Sequence, residues 1–84
     1  MKWKDIHRQY PNRFVLLGNL VEEKISDFEI RIVEGTIIDV FDNGPDVQKA
    51  YIAHKQKGED VLFSLPTTPE DFIIENVPYK GLIR

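Results

Sequence analysis

The apolar positions of the first 18 residues form a helical stripe and then a continuous run. The stripe has spacings of three and four residues, which indicate one face of a short helix, at Trp3, Ile6, His7 and Tyr10. Pro11 and Asn12 end that helix. The run Phe14-Val15-Leu16-Leu17 has no helical punctuation, so it predicts a strand buried on both faces and central in a sheet.

The middle of the chain predicts two further strands joined by a hairpin. Residues 28–32 alternate strictly between apolar and polar side chains, and a second apolar segment follows Gly35. A three-residue loop at 33–35 pairs Ile30 with Ile38 and makes one face apolar, whereas a two-residue loop mixes polar and apolar residues. We therefore predict the three-residue loop, with Gly35 in the left-handed conformation.

Helix punctuation is clearest in the second half of the chain. Pro45 and Asp46 suit the first turn of a helix, and Gly58 suits the position after its end. Its apolar stripe again has helical spacing, at Val47, Ala50, Tyr51 and His54. The run 61–65 predicts the next strand, so the helix connects it to the segment 36–41, with the relative direction of the two strands left open.

The C-terminal part of the chain allows two interpretations. Pro66 and Pro69 interrupt regular structure, and residues 72–77 are too apolar for a free tail. They form either an added strand or an arm that docks on a partner. Residues 78–84 contain further breakers, and we expect them to fray.

These elements predict one α+β domain over residues 1–84. Its single small sheet is a three-stranded antiparallel meander, a crossover helix and a fourth strand. The helix packs on one face of the sheet, and a short N-terminal helix precedes it. Residues 66–84 are an extra strand or an arm. A chain of 84 residues without cysteine has a thin core and no disulfides, which favours support from self-association.

Composition narrows the class of protein. With 42% hydrophobic and 30% charged residues the chain has an ordinary globular composition. No apolar run approaches the roughly 20 residues of a membrane-spanning helix, so we expect no membrane contact. The first residues lack the apolar stretch of a secretory signal, and we therefore expect a cytoplasmic protein.

Charge is distributed unevenly along the chain. The net charge of -3 combines +3 over residues 1–13 with -6 over the remainder. The basic residues of the first helix and its surroundings are Lys2, Lys4, Arg8 and Arg13. They could neutralise phosphates while Trp3 or Tyr10 stacks on bases, so a nucleic-acid-binding regulator is one alternative. The acidic body disfavours it, because it should repel nucleic acid.

Candidate chemistry is sparse. His7 and His54 lie at the edges of apolar stripes and could act as bases or pH sensors, which makes a ligand sensor or small enzyme a second alternative. Asp39 on a strand and Asp5 beside the first helix are the carboxylates for which burial and a raised pKa are most plausible. No phosphate loop, nucleophile elbow or metal-ligand spacing occurs. We therefore predict no enzyme, no cofactor and no metal site.

The leading hypothesis is a non-enzymatic interaction module or accessory subunit that binds a protein partner and forms a homodimer. Its contacts are expected from apolar groups that the sheet and helices leave exposed. The candidates are Trp3, Tyr10, Phe72 and Ile74.

The order of motifs also resembles a group of short uncharacterised bacterial and archaeal proteins. The resemblance spans about residues 3–65 and is carried by Trp3, Tyr10-Pro11-Asn12, Phe14-Val15-Leu16-Leu17, Gly35-Thr36-Ile37-Ile38 and Val61-Leu62-Phe63. Phe14 stands where that group usually has tryptophan. Such proteins are often encoded beside retropepsin-like aspartic proteases, so the resemblance implies a protein partner. It assigns no catalytic residue.

Overall fold

One antiparallel sheet of four strands lies at the centre of the protein, and the α+β class with a single sheet is confirmed. The computed structural model describes residues 1–75. Its elements are α1 (Trp3–Gln9), β1 (Phe14–Lys24), β2 (Glu29–Phe41), α2 (Gly44–Gln56), β3 (Leu62–Ser64) and β4 (Ile73–Glu75). The spatial order of the strands is β3-β1-β2-β4, and neighbouring strands are antiparallel.

The strand predicted to be central is central. β1 pairs with β2 along one edge and with β3 along the other. Val15, Leu16 and Leu17 are each at most 1% exposed. Because successive residues of a strand point to opposite faces, this run is buried on both sides of the sheet.

The hairpin was predicted in the wrong place. β2 runs without interruption through residues 33–35, and the turn lies between β1 and β2, where the backbone N–H of Ile25 donates to the carbonyl of Glu29. Gly35 has no positive φ; inside β2 its N–H donates to the carbonyl of Met1 at 2.9 Å. The three-stranded meander is therefore replaced by one long two-stranded hairpin.

β-Bulges explain why the pattern of apolar and polar residues predicted the turn at the wrong position. Ile38 and Val33 of β2 are each passed over in the pairing with β1. Asn19 and Leu20 of β1 together lie opposite Gly35, and Asn19 has a φ of 47°. Each extra residue shifts the register and bends the strand. The breaks in alternation near residues 33 and 38 are thus irregularities within a strand.

The two helices cover opposite faces of the sheet, and the face that α1 covers was not predicted. Trp3 and Ile6 of α1 share a buried cluster with Val15 and Leu17. Val47 of α2 belongs to a second cluster with Leu16 and Val61. The alternation of side chains along β1 places these clusters on different faces.

α2 begins and ends within one residue of its predicted bounds. The side chain of Asn43 caps it by accepting a hydrogen bond from the N–H of Asp46 at 2.9 Å. α2 connects β2 to β3, and both of these strands are antiparallel to β1. β2 and β3 are therefore parallel to each other with β1 between them, which settles the direction that the sequence left open.

The described part of the apolar segment 72–77 is an added strand. β4 pairs with residues 29–31 of β2, and the N–H of Ile32 donates to the carbonyl of Phe72 at 2.9 Å. The predicted fraying of residues 78–84 concerns residues outside those that the structure describes.

Candidate functional site

Trp3, predicted as an exposed partner contact, is part of the core. It is 3% exposed, its ring centroid lies 4.9 Å from that of Phe72, and its indole N–H donates to the carbonyl of Pro69 at 3.1 Å. Tyr10 and Phe72 are partly buried against the same cluster. Aromatic residues far apart in the sequence thus hold the two ends of the described chain together. Ile74, on β4, is partly buried.

Three of the four basic candidates lie close to carboxylates. Arg13 forms an ion pair with Asp42 at 2.8 Å, and Arg8 contacts Asp5 at 3.8 Å. Lys4 is close enough to Asp71 to favour its charged form. Lys2 forms a backbone bridge with Glu34. Nearby carboxylates therefore offset part of the positive charge that the sequence suggested for this surface. The arrangement adds no support to nucleic-acid binding.

The two histidines lie apart on different helices. The imidazole of His7 is in edge contact with the ring of Trp3, at 5.6 Å between centroids. The imidazole of His54 pairs with Glu59, and that hydrogen bond lowers the pKa of Glu59. Both are ordinary uses of histidine at the boundary of a core.

The carboxylates for which burial was expected are exposed. Asp39 accepts the N–H of Val40 at 2.8 Å and Asp5 lies on the surface of α1, so neither carboxylate is buried. Within residues 1–75, no group of three His, Asp or Glu side chains is placed to hold a metal ion. No helix in that range is both long and apolar enough to cross a membrane.

Arg31 links three separate parts of the sheet. Its guanidinium donates to Asp71 at 2.7 Å, just before β4, and also to Glu23 on β1. The hydrogen bond from Arg31 lowers the pKa of Asp71, and the positive charge of Arg31 adds to this effect. The cluster is exposed, so its contribution to stability is small. Its role is to hold the segment before β4 against the hairpin.

Replacing Arg31 with methionine should return the pKa of Asp71 toward its usual value. A carboxyl group with a lowered pKa in the folded state contributes stability above its unfolded pKa and loses it as the pH falls through the folded value. The contribution therefore begins to decline near pH 4 and is lost as the pH falls further, through the lowered pKa of Asp71. A carbon-detected NMR titration of the carboxyl groups measures the shift. An unchanged Asp71 titration in the variant would contradict the pairing, and Glu59 is the internal control.

The turn end of the β1–β2 hairpin is the feature that sequence reasoning missed. We call residues 21–28 the hairpin end. All eight are exposed, and three are large apolar residues: Val21 at 48%, Ile25 at 41% and Phe28 at 48%. Val21 and Ile25 are apolar positions in the polar stretch between two predicted strands, and Phe28 is the first residue of the predicted strand 28–32, so their spacing did not indicate exposure.

A cleft that includes Glu22 of the hairpin end lies on the sheet. Its volume is about 280 Å³. Its apolar lining comes from all four strands, at Leu20, Ile30, Leu62 and Ile74. Three carboxylate residues complete the lining, at Glu22, Asp60 and Glu75. An apolar floor with an acidic rim suits binding of a complementary surface better than it suits acid–base chemistry, because these carboxylates face open water.

Comparisons with protein-family models, curated proteins and solved structures found no match to this chain. The resemblance to the short bacterial and archaeal proteins therefore stays a prediction.

Proposed function

We propose that the protein is a small non-enzymatic interaction module that binds a partner protein through the hairpin end. The observation that carries the proposal is the exposure of Val21, Ile25 and Phe28 within eight residues. Single exposed apolar residues are normal on any protein, whereas several on one projecting element favour a contact site.

The adjoining edge of the sheet extends this apolar surface. Ile73 of β4 is exposed and pairs with Arg31 of β2. Half of the large apolar residues that are exposed in the described chain therefore lie on the hairpin end or on the strand next to it. The remainder are distributed over the N-terminus, β2, α2 and the segment after β3.

The described residues support an enzymatic function less well than a docking function. His7 and His54 make contacts that accompany packing, and Asp39 is exposed. A general acid or base gains a useful pKa from burial or from a neighbouring charge. Docking through exposed apolar side chains requires no such perturbed group.

A double substitution, Val21→Ser with Phe28→Ser, should abolish capture of a stoichiometric partner from native lysate. Both side chains are exposed, so unfolding stability should change by no more than about 0.5 kcal/mol for each. The readout is quantitative mass spectrometry of proteins that elute with the tagged chain. The matched control is Ile52→Ser on α2, where the side chain is 46% exposed but lies away from the hairpin end.

The outcome is decided by the comparison of variants. A protein that is retained by the wild type and by Ile52→Ser but lost from the double variant supports the proposal. Equal capture by all three chains, or recovery of the protein alone, contradicts it. Following the resemblance, a retropepsin-like aspartic protease is one partner to look for among the captured proteins.

A second copy of the chain is the other candidate partner for the same surface. Sedimentation velocity over a hundredfold range of protein concentration measures whether the chain forms a dimer. A dimer that dissociates in the double variant would identify the homodimer as the functional state, whereas a concentration-independent monomer assigns the surface to a different protein.

A further inference from the structure

The cleft beside the hairpin end carries uncompensated negative charge. Within the described chain, Glu22 and Glu75 have no cation within ion-pair distance, while Asp60 has only Lys55 at 4.0 Å. The cation nearest along β1, Lys24, contacts Asp27 at 3.8 Å. The apolar floor of the cleft is therefore bordered by carboxylates that a positively charged partner could neutralise.

The same cleft adjoins a free strand edge. β3 pairs with β1 only at residues 15–17. Beyond that point β1 has a bulge at Asn19, and no strand of the described chain pairs with this edge over residues 18–24. Unpaired backbone groups along an edge are a template for an added strand, with main-chain hydrogen bonds for affinity and side-chain contacts for specificity.

Charge decides between two occupants of this edge. A second copy paired antiparallel about a two-fold axis at Glu22 or Glu23 would place carboxylates opposite each other across the axis. Like charges directly opposite in a sheet are unfavourable, and opposite charges are favourable. The edge is therefore better matched to a basic strand than to itself.

We propose that an extended segment of a partner protein adds to the free edge of β1 and carries both apolar residues and lysine or arginine on the face of the strand that meets the cleft. Its apolar side chains cover Leu20, Ile30 and Leu62, and its cations contact Glu22 and Glu75. The inference rests on the proposed function and names the chemistry of the partner. It predicts a binding site next to the hairpin end, with a strand conformation for the bound segment.

Three labelled nine-residue peptides test this inference against the full-length protein by fluorescence anisotropy. The first carries valine and lysine in turn at its odd positions with threonine at the even positions, the second replaces lysine with glutamate, and the third replaces valine with glycine. We expect the valine–lysine peptide to bind at least about tenfold more tightly than either of the others, since a tenfold ratio needs only one or two good contacts. Equal binding of the glycine–lysine peptide would show general charge attraction and overturn the proposal.

Two charge-matched variants test whether the peptide binds at the cleft. Glu22→Gln with Glu75→Gln removes two carboxylates from the cleft, whereas Asp39→Asn with Glu70→Gln removes two exposed carboxylates elsewhere. The cleft variant should weaken binding about tenfold, and the control variant by less than about threefold, which is the size of a screened long-range effect. Equal weakening by both variants would overturn the assignment to this cleft.

A peptide with N-methyl groups on alternate amides tests strand addition. Methylation of the amides that face β1 removes their donors, so binding should be lost, while methylation of the other set should be tolerated. Equal tolerance of both sets would overturn the strand geometry. Loss of the captured partner in the Val21→Ser, Phe28→Ser variant, together with no peptide binding, would leave the proposed function standing and refute only this inference.

Discussion

Replacing Trp3 with alanine should lower the free energy of unfolding by about 3–5 kcal/mol. The indole is almost completely buried, packs on Phe72 and donates a hydrogen bond to Pro69. Alanine removes these contacts and leaves a cavity between α1 and the sheet. A domain of 84 residues has a total stability of about 4–13 kcal/mol, so the loss is a large fraction of the whole.

Urea denaturation followed by circular dichroism measures this effect, and the melting temperature should fall by about 15 °C or more. Trp3→Phe is the matched control. It retains an aromatic ring against Phe72 but loses the hydrogen bond to Pro69, so it should cost less than alanine. A loss below about 1 kcal/mol for Trp3→Ala would contradict the burial of this side chain.

The second large effect is expected on the opposite face of the sheet. Leu16→Ala should cost about 2–5 kcal/mol. Leu16 is fully buried in a cluster with Val47 and Val61, and this cluster attaches α2 to β1 and β3. The same denaturation experiment measures the loss. The exposed Leu65, on the segment after β3, offers a control, since Leu65→Ala should stay within about 0.5 kcal/mol.

Double-mutant cycles test the two-faced arrangement itself. Leu16 and Val47 belong to one cluster, so their effects on stability should couple by about 0.5 kcal/mol or more. Leu16 and Trp3 belong to clusters on different faces, so their effects should be closer to additive. Stronger coupling of Leu16 to Trp3 than to Val47 would contradict the placement of the helices.

The hairpin end is separate from both clusters, and this has a consequence for function. None of residues 21–28 belongs to either buried cluster. Substitutions there can change binding while the core stays intact. Loss of stability and loss of binding should therefore occur in different sets of variants, which makes a docking role accessible to a simple mutational survey.

Local patterns were sufficient to predict most of the elements. Helical spacing found α1, and Pro45 with Gly58 fixed the bounds of α2 to within one residue. The continuous apolar run of residues 14–17 identified β1 as central. These predictions succeeded because each depends on interactions within a few residues or on burial of both faces, which local composition records directly.

The candidate site was less accessible from sequence. Trp3 was named among the apolar groups expected to stay exposed for a partner. The structure buries it against Phe72 and Pro69, which are about 66–69 residues distant along the chain. Ile25 was overlooked because it lies in the polar stretch between two predicted strands, and Phe28 because it was assigned to the alternating strand 28–32. Exposure of an apolar residue depends on what packs over it, and spacing alone does not report that.

The sequence by itself determined the α+β class, the two helices, the buried central strand and the connection of α2 to the strand after it. Tertiary structure decided the unbroken path of β2, the direction of β3, the face that each helix covers and the exposure of the hairpin end. The division has a physical cause. Helix caps and apolar periodicity act locally, whereas bulged strand pairing and burial depend on contacts between distant residues, where a register shift of one residue exchanges the two faces of a strand.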